Sequence, residues 1–357
     1  MASKLSQKQI TFIIPGFSHG PVGGVKIVYE YANALTNCGC EVTICSWCPD
    51  SLKQYPLPEI LRRPLCVVFT ALFPRWFKLD RRVKKKCIFT IDDNSIPKGT
   101  DVVATAVETA APVALLNPES GRKHYLIQDF ETWSTAESDV RATYRLGMSN
   151  IVVSDWLKRL VQNESGIEPR LIKNPIETDV FFPEPGICRN AHEVACLYHV
   201  GEHKGFTDLY DALKIVKSSI PDLVVNSFGS PERPDWLPEW FHYTRSANEE
   251  QLREIYSRSA VFACATVNEG FGLTLPESMF CGCALASTRF QGVWEYADEN
   301  CAKLSPVHDP EALATNIIAM LEDPDGTAVL AARGREHAMA ECSVEKAQEA
   351  LRSEFGI

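Results

Sequence analysis

The sequence predicts an α/β protein of two Rossmann-like domains, each an open parallel sheet with its helices packed on it. Three observations carry this expectation. Apolar strand-like runs alternate with helix-period patterns along the whole chain, the signature of parallel strands joined by crossover helices. At 357 residues the chain is long enough for two domains. A segment rich in proline, glycine and polar residues, QNESGIEPRLIKNPIETDVFFPEPG, interrupts the alternation near the middle. The expected domains are 1–168 and 169–340.

In the first domain the apolar runs place strands near 10–15, 41–47, 66–70, 87–91, 101–105, 124–128 and 150–153. Helical patterns fall near 25–37, 107–115, 136–146 and 155–163, the last with Ser154 as its cap. In the second domain strands are expected near 194–200, 222–228, 240–243, 260–264, 284–287 and 302–304. Helices are expected near 206–218, 248–257, 274–281, 310–321 and 326–340. Asp309-Pro310-Glu311 supplies a cap, a proline at the first helical position and an early acid. Two open sheets of similar size imply a cleft facing the carboxyl ends of their strands.

Composition narrows the function classes. With 45% hydrophobic and 23% charged residues the chain reads as an ordinary globular protein. No apolar run approaches the roughly 20 residues of a membrane span. The polar start, MASKLSQKQ, lacks the apolar core of a signal peptide. The formal charge of −10 argues against nucleic acid as the main partner. Thirteen cysteines, an odd number without a signal peptide, suggest reduced thiols and a cytoplasmic location. Cys38, Cys40, Cys45 and Cys48 are clustered, but their spacing is unusual for zinc. The same segment reads as a helix end, a turn at Gly39 and a buried strand, with the thiols as small apolar groups.

Residues 62–86 depart from the acidic average. Arg62, Arg63, Arg75, Lys78, Arg81, Arg82, Lys84, Lys85 and Lys86 are interleaved with Phe69, Phe73, Trp76 and Phe77. Such a segment can hold a protein at an anionic bilayer or bind a lipid diphosphate. The alternative is a solvated basic face whose aromatics pack inward.

Two stretches point to a site. In FSHGPVGGVKIVYEYANAL, Gly23 and Gly24 precede a helix, where a missing Cβ allows close approach and unpaired N–H groups can face an anion. In VNEGFGLTLPESMFCGC, seven residues separate Glu269 from Glu277. On one continuous helix the two would lie about 80° apart. Gly270 and Gly272 instead suggest a loop up to Leu273, with a helix beginning near Pro276 and Glu277 in its first turn. Carboxylates accept hydrogen bonds from sugar hydroxyls, and helix-start N–H groups hold phosphate. A nucleotide sugar carries hydroxyls at both ends and phosphates between.

EGFGLTLPESMFCGC resembles the E-x7-E signature of retaining glycosyltransferases of family 4, which have the two-domain GT-B fold. GGVKIVYEYANAL, VVSDWLKRLV, LIKNPIETDVFFP, YHVGEHKGFTDLYDAL and VHDPEALATNI resemble other segments of that family in order and spacing, across nearly the whole chain. YLIQDFETW and DVVATAVETA resemble a bacterial subgroup that includes rhamnosyltransferases.

The resemblance implies a retaining, metal-independent transferase moving a sugar from a nucleotide-diphosphate donor to a saccharide or lipid-linked acceptor in bacterial surface polysaccharide synthesis. It requires no cofactor. The first domain would face the acceptor and the second would hold the donor, with the final helix, within 341–357, crossing back onto the first. Lys204 would offset the departing diphosphate, where charge develops in the transition state. His199 stands where the family usually has an arginine. Gly23 and Gly24 would bring backbone N–H groups to the phosphates. Glu269 would bind sugar hydroxyls beside the backbone donors of Gly270, Phe271, Gly272 and Leu273. Glu277 would hold the ribose, and Tyr243 and Thr244 would touch the base. Asp129 falls near the acceptor, where the family often has a histidine, with Glu131 as its competitor for an acid–base role. Asp92-Asp93 reads as a turn rather than a metal motif, and His124 and His203 as structural. A non-catalytic GT-B module of a larger synthase, or a nucleotide-sugar epimerase on the same fold, are the alternatives.

Overall fold

The structure is a computed structural model that describes residues 7–49 and 58–357. The chain divides into two compact units, one running to Ile172 and joined by Gln348–Ile357, the other spanning Lys173–Ala347.

The first unit is built on seven strands: β1 (Gln9–Pro15), β2 (Glu41–Trp47), β3 (Lys84–Ile88), β4 (Asp101–Ala104), β5 (Arg122–Ile127), β6 (Ser149–Val152) and β7 (Arg170–Leu171). Every pairing is parallel. The order is β3-β2-β1-β4-β5-β6-β7, so the direction of winding reverses between β1 and β4. Five helices belong to it: α1 (Gly23–Asn37), α2 (Glu59–Leu72), α3 (Val107–Ala114), α4 (Glu137–Thr143) and α5 (Asp155–Ser165). Ile13, Ile14, Val102 and Val103 are buried on both sides of the central strands, as expected where helices cover both faces of a sheet.

One expected strand is a helix. Residues 66–70, CVVFT, lie inside α2. Their β-branched and aromatic content resembles a buried strand, but the inward side chains, Cys66 and Thr70, recur at helical spacing. Short apolar runs do not separate the two by periodicity alone. The two-residue β7 is too short to leave a pattern.

The second unit has six parallel strands: β8 (Asn190–Leu197), β9 (Val224–Gly229), β10 (Phe241–Arg245), β11 (Ser259–Cys264), β12 (Ala284–Thr288) and β13 (Lys303–Ser305). Their order is β10-β9-β8-β11-β12-β13, reversing between β8 and β11. Helices α6 (Phe206–Ser219), α7 (Glu249–Arg258), α8 (Thr274–Phe280), α9 (Pro310–Glu322) and α10 (Pro324–Glu341) complete it. The α9 start is capped as the sequence suggests, Asp309 accepting the Ala312 N–H at 2.9 Å. Asp323-Pro324 repeats the device, Asp323 accepting from Gly326 at 3.0 Å, and α10 therefore begins two residues earlier than the pattern predicts.

The last helix, α11 (Val344–Phe355), ends on the first unit. Phe355 packs on Phe12 and His124, with ring centroids 6.4 and 4.9 Å apart. His124 is fully buried between two carboxylates, its Nε2 2.9 Å from Asp101 and its Nδ1 3.0 Å from Glu354. Burial pushes both carboxyls up, but their hydrogen bonds with His124 prevail and hold them below their ordinary values. Through these two carboxylate contacts His124 ties α11 to β4 and β5.

Candidate functional site

In an open parallel sheet the loops at the carboxyl ends of the strands diverge where the winding reverses, leaving a natural crevice. In the second unit that point lies between β8 and β11. The loop after β8 carries His199, Gly201 and a 3-10 turn over Glu202–Lys204. The loop after β11 carries Glu269 through Leu273 and runs into α8. Two residues far apart in sequence meet there: Lys204 Nζ forms a hydrogen-bonded ion pair with Glu269 Oε1. The side chains are 16% and 18% exposed, so the pair is largely withdrawn from water.

Backbone geometry enforces this meeting. Gly205 has φ +63°, and a Cβ there would overlap the carbonyl oxygen of Ala265. Only glycine lets the turn after β8 sit this close to the end of β11. The His203 carbonyl then accepts the N–H of Val267 at 2.9 Å, which ties the two loops together.

The Glu269–Leu273 loop is braced from behind. Gly272 has φ +88°, and a Cβ there would stand 2.9 Å from the Tyr296 hydroxyl and 3.4 Å from Glu269 Oε2. The Tyr296 hydroxyl donates to the Phe271 carbonyl at 2.9 Å. Burial, reinforced by the nearby Glu269 charge, pushes the Tyr296 phenol well above its ordinary value, so it stays a donor. Phe271 is 2% exposed and Gly270 and Gly272 are also buried, while Leu273 is half-buried. Tyr296 was missed from sequence. It follows β12, carries no motif, and reaches the loop across 25 residues.

Glu277 lies in the first turn of α8, as expected, and is 4% exposed. Its charge helps to raise the Tyr256 phenol, second to burial. His199 Nδ1 accepts the Gly201 N–H at 2.9 Å. Burial, then the Lys204 and His203 charges, hold the His199 imidazole below its ordinary value. At neutral pH it therefore adds no positive charge beside Lys204.

The structure separates Tyr243 from Thr244, because adjacent strand residues point to opposite faces. The Tyr243 hydroxyl donates to the Pro231 carbonyl at 2.6 Å and its ring meets Tyr198, just before His199, at 5.9 Å. Thr244 instead lines a cavity of about 200 Å³ with Asn226, His242 and Arg258.

The remaining candidates belong to the first unit. Gly23 and Gly24 open α1. Neither is among the residues of positive φ, so the pair does not serve a left-handed turn. A Cβ on Gly24 would stand 3.2 Å from the Gln128 amide nitrogen. Asp129 follows β5 and accepts the Phe130 N–H at 2.8 Å. Glu131 accepts the first N–H of α3, from Val107, at 3.2 Å. Burial, with the Glu108 and Asp129 charges adding to it, pushes the Glu131 carboxyl up to about 7. Asp92 accepts the N–H groups of Asn94 and Ser95 at 3.0 and 2.9 Å, a turn as expected. Among the described residues no group of three or more His, Cys, Asp or Glu side chains is arranged to hold a metal ion.

The basic segment resolves into two layers. Phe69 and Phe73 pack inward on Phe17, and Trp76 and Phe77 on Tyr29. The outward face of α2 is apolar: Ile60, Leu61, Pro64, Val67, Val68, Ala71 and Leu72 are all exposed. By helical geometry they span an arc of about 140°.

Residues 193–323 match the family described as Glycosyl transferases group 1. The phosphatidyl-myo-inositol mannosyltransferase of Mycolicibacterium smegmatis is 26% identical over 217 residues, 57% of this chain and 56% of that protein. The chain spans about half the length of the curated relatives it matches. The structure of sucrose-phosphate synthase from Thermosynechococcus elongatus aligns with a TM-score of 0.76 over 98% of both chains, at 17% identity. Anabaena HepE in complex with UDP-glucose aligns with a TM-score of 0.73 over 98% of this chain and 100% of that one, at 15% identity. The fold is therefore GT-B, and residues 193–323 form a glycosyltransferase group 1 domain.

The Glu131 carboxyl gives a stability test. Its folded value of about 7 lies above the ordinary 4.5, so the folded state favours the protonated form. That contribution is full below about pH 4.5 and is lost as pH rises through 7. Glu131→Gln keeps an oxygen for the Val107 N–H and removes the charge. It should gain about 3 kcal/mol over wild type at pH 8 and almost nothing at pH 4.5, measured by urea unfolding.

Proposed function

We propose that this protein is a retaining, metal-independent glycosyltransferase of family 4 that uses a nucleotide-diphosphate sugar. The Lys204–Glu269 pair at the reversal point of the second sheet carries the reading. A sugar diphosphate offers each partner something better. Its phosphate replaces Glu269 as the counter-charge of Lys204, and its hydroxyls replace Lys204 as donors to Glu269. Lys204 then stabilises negative charge on the departing diphosphate. The loop Gly270, Phe271, Gly272 and Leu273 offers backbone N–H groups, Glu277 holds the ribose, and Tyr243 supports the base. Thr244 has a smaller part, since it faces the other side of its strand. The departing phosphate takes the acceptor proton on the same face of the sugar, which preserves the anomeric configuration without an enzyme nucleophile.

The acceptor is a saccharide or lipid-linked saccharide of a bacterial surface polymer, met by the first unit through Asp129 and Glu131. Glu131 is the better proton partner near neutrality, because a group whose pKa lies near the working pH transfers protons most effectively. The named relatives that act on sugars or were solved with UDP-glucose support the substrate class. A deoxyhexose such as rhamnose is proposed on the resemblance of YLIQDFETW and DVVATAVETA alone. The work is done on the cytoplasmic face of the membrane, with α2 resting on an anionic bilayer. The exposed apolar arc of α2 would enter the interface, and the nearby basic residues Arg63, Arg75, Lys78 and Arg81 would meet lipid phosphates. No helix among the described residues is long and apolar enough to cross a membrane.

Three measurements test this. UDP-sugars and dTDP-sugars should raise the melting temperature, and release of nucleoside diphosphate from the stabilising donor should fall at least about a hundredfold in Lys204→Ala and in Glu269→Ala, with folding retained. Donor stabilisation without turnover on any saccharide acceptor would favour the non-catalytic binding module, a reading that the uncharged His199 makes worth testing. A bound diphosphate should raise the His199 pKa, so UDP affinity should strengthen as pH falls from 8 to 6, more steeply in wild type than in His199→Asn, by titration calorimetry. The protein should co-sediment with vesicles containing phosphatidylglycerol but not with phosphatidylcholine alone. The Val68→Glu, Leu72→Glu double variant should lose this binding while keeping its melting temperature.

A further inference from the structure

Three cysteine side chains meet beneath α2. Cys48 immediately follows β2, Cys66 is on the inward face of α2, and Cys87 is in β3. Cys48 and Cys66 are 2% and 1% exposed and form one small core, against which Cys87, Phe17, Phe69 and Phe89 pack. Cys48 is hydrogen-bonded with both Cys66 and Cys87. All three are free thiols.

Their environments differ in the way that reactive and resolving thiols differ. Cys87 is half-exposed on β3, the edge strand of its sheet, so a small solute can reach it. Cys48 and Cys66 are sealed from solvent, and Cys48 is within hydrogen-bond reach of both Cys66 and Cys87. Burial pushes the Cys66 thiol up. At Cys87 the hydrogen bond with Cys48 outweighs burial and holds the thiol at about 7, so much of it is thiolate at neutral pH.

We propose that Cys87 is a hydroperoxide-reactive thiol and Cys48 its resolving partner, so that oxidation closes a disulfide between the end of β2 and β3 at the foot of α2. In the first step the Cys87 thiolate attacks one peroxide oxygen. The O–O bond breaks, an S–O bond forms, and the second oxygen leaves as hydroxide. Proton uptake gives Cys87 sulfenic acid and one water. In the second step the Cys48 sulfur attacks the Cys87 sulfur. The S–O bond breaks as the S–S bond forms, and the oxygen leaves as a second water with the Cys48 proton. Two thiols and one hydrogen peroxide become one disulfide and two waters. The pairing of a reachable thiolate with a sealed neighbour favours this outcome over further oxidation, because the sulfenic acid meets a thiol before it meets a second peroxide.

The test uses the full reduced chain. Under brief iodoacetamide treatment at pH 7, peptide mass spectrometry should find Cys87 alkylated about tenfold faster than the exposed Cys38 and Cys188. After stoichiometric hydrogen peroxide, a non-reducing digest should contain one peptide pair joined through Cys48 and Cys87, lost on reduction. In Cys48→Ser the sulfenic acid at Cys87 should persist and be trapped by dimedone. Equal alkylation of Cys87 and the two exposed cysteines would overturn the reactive role. A link through Cys66, or sulfinic acid at Cys87 of wild type with no link, would overturn the resolving role of Cys48. The two readouts on wild type stand whether or not the variant folds, and none of the readouts depends on sugar transfer.

Discussion

A lysine ammonium and a glutamate carboxylate, both mostly withdrawn from water, face each other where the winding of the second sheet reverses. Each makes the other tolerable there. Removing either would leave an uncompensated charge in a poorly solvated place. On the proposed reading, a ligand enters by satisfying both members of this balanced pair, as a sugar phosphate would, since it carries an anion and hydroxyls a few bonds apart. A plain anion would satisfy Lys204 and strand Glu269. A neutral sugar would do the reverse. On that reading the charge arrangement itself would discriminate in favour of the composite ligand.

The pair depends in turn on close backbone approach. Gly205 and Gly272 both take positive φ, and at both a side chain would meet neighbouring atoms. They act on the two halves of the site separately, Gly205 seating the lysine turn against β11 and Gly272 fitting the glutamate loop to Tyr296. Catalysis by fixed charges requires that little reorganisation occur during the reaction. A loop held by a phenol that stays protonated meets that requirement better than a loop held by side-chain ion pairs alone. Tyr296 is in this sense a positioning residue for Glu269 and Phe271.

The alternation of strands and helices was legible because the central parallel strands are largely apolar and many helices are bounded by caps, prolines or glycines. It failed at residues 66–70, where helix α2 turns β-branched side chains both inward and outward, so that neither period emerges. Glu269, Lys204 and Glu277 were legible through a motif and its resemblance, and the structure brings the first two into contact. Tyr296 was not, since its role rests on a hydrogen bond to a backbone carbonyl, which leaves no residue pattern. The Tyr243-Thr244 dipeptide was read as one feature, yet the two-residue period of a strand sends its members apart. The elevated Glu131 was seen only as a competitor of Asp129. Its burial and the company of two other carboxylates are tertiary facts.

The two failures in the first unit share a cause that bears on function. A sequence is legible when each local choice serves the core alone, and it becomes ambiguous where a second demand acts on the same residues. Helix α2 must bury Cys66 and Thr70 on one side, yet it keeps an unbroken apolar arc on the other. Folding does not account for that arc, since burial of the inner face is already complete and exposed apolar groups gain nothing from water. Glu131 is the same case in polar form: an ordinary solvated acid would cap α3 as well, without the destabilisation that comes from ionising a buried carboxyl. The second unit departs from ordinary folding in the two loops that bring Lys204 and Glu269 together. The first departs from it in an outward apolar face and a carboxyl near neutrality, the two features that the proposed function assigns to the bilayer and the acceptor.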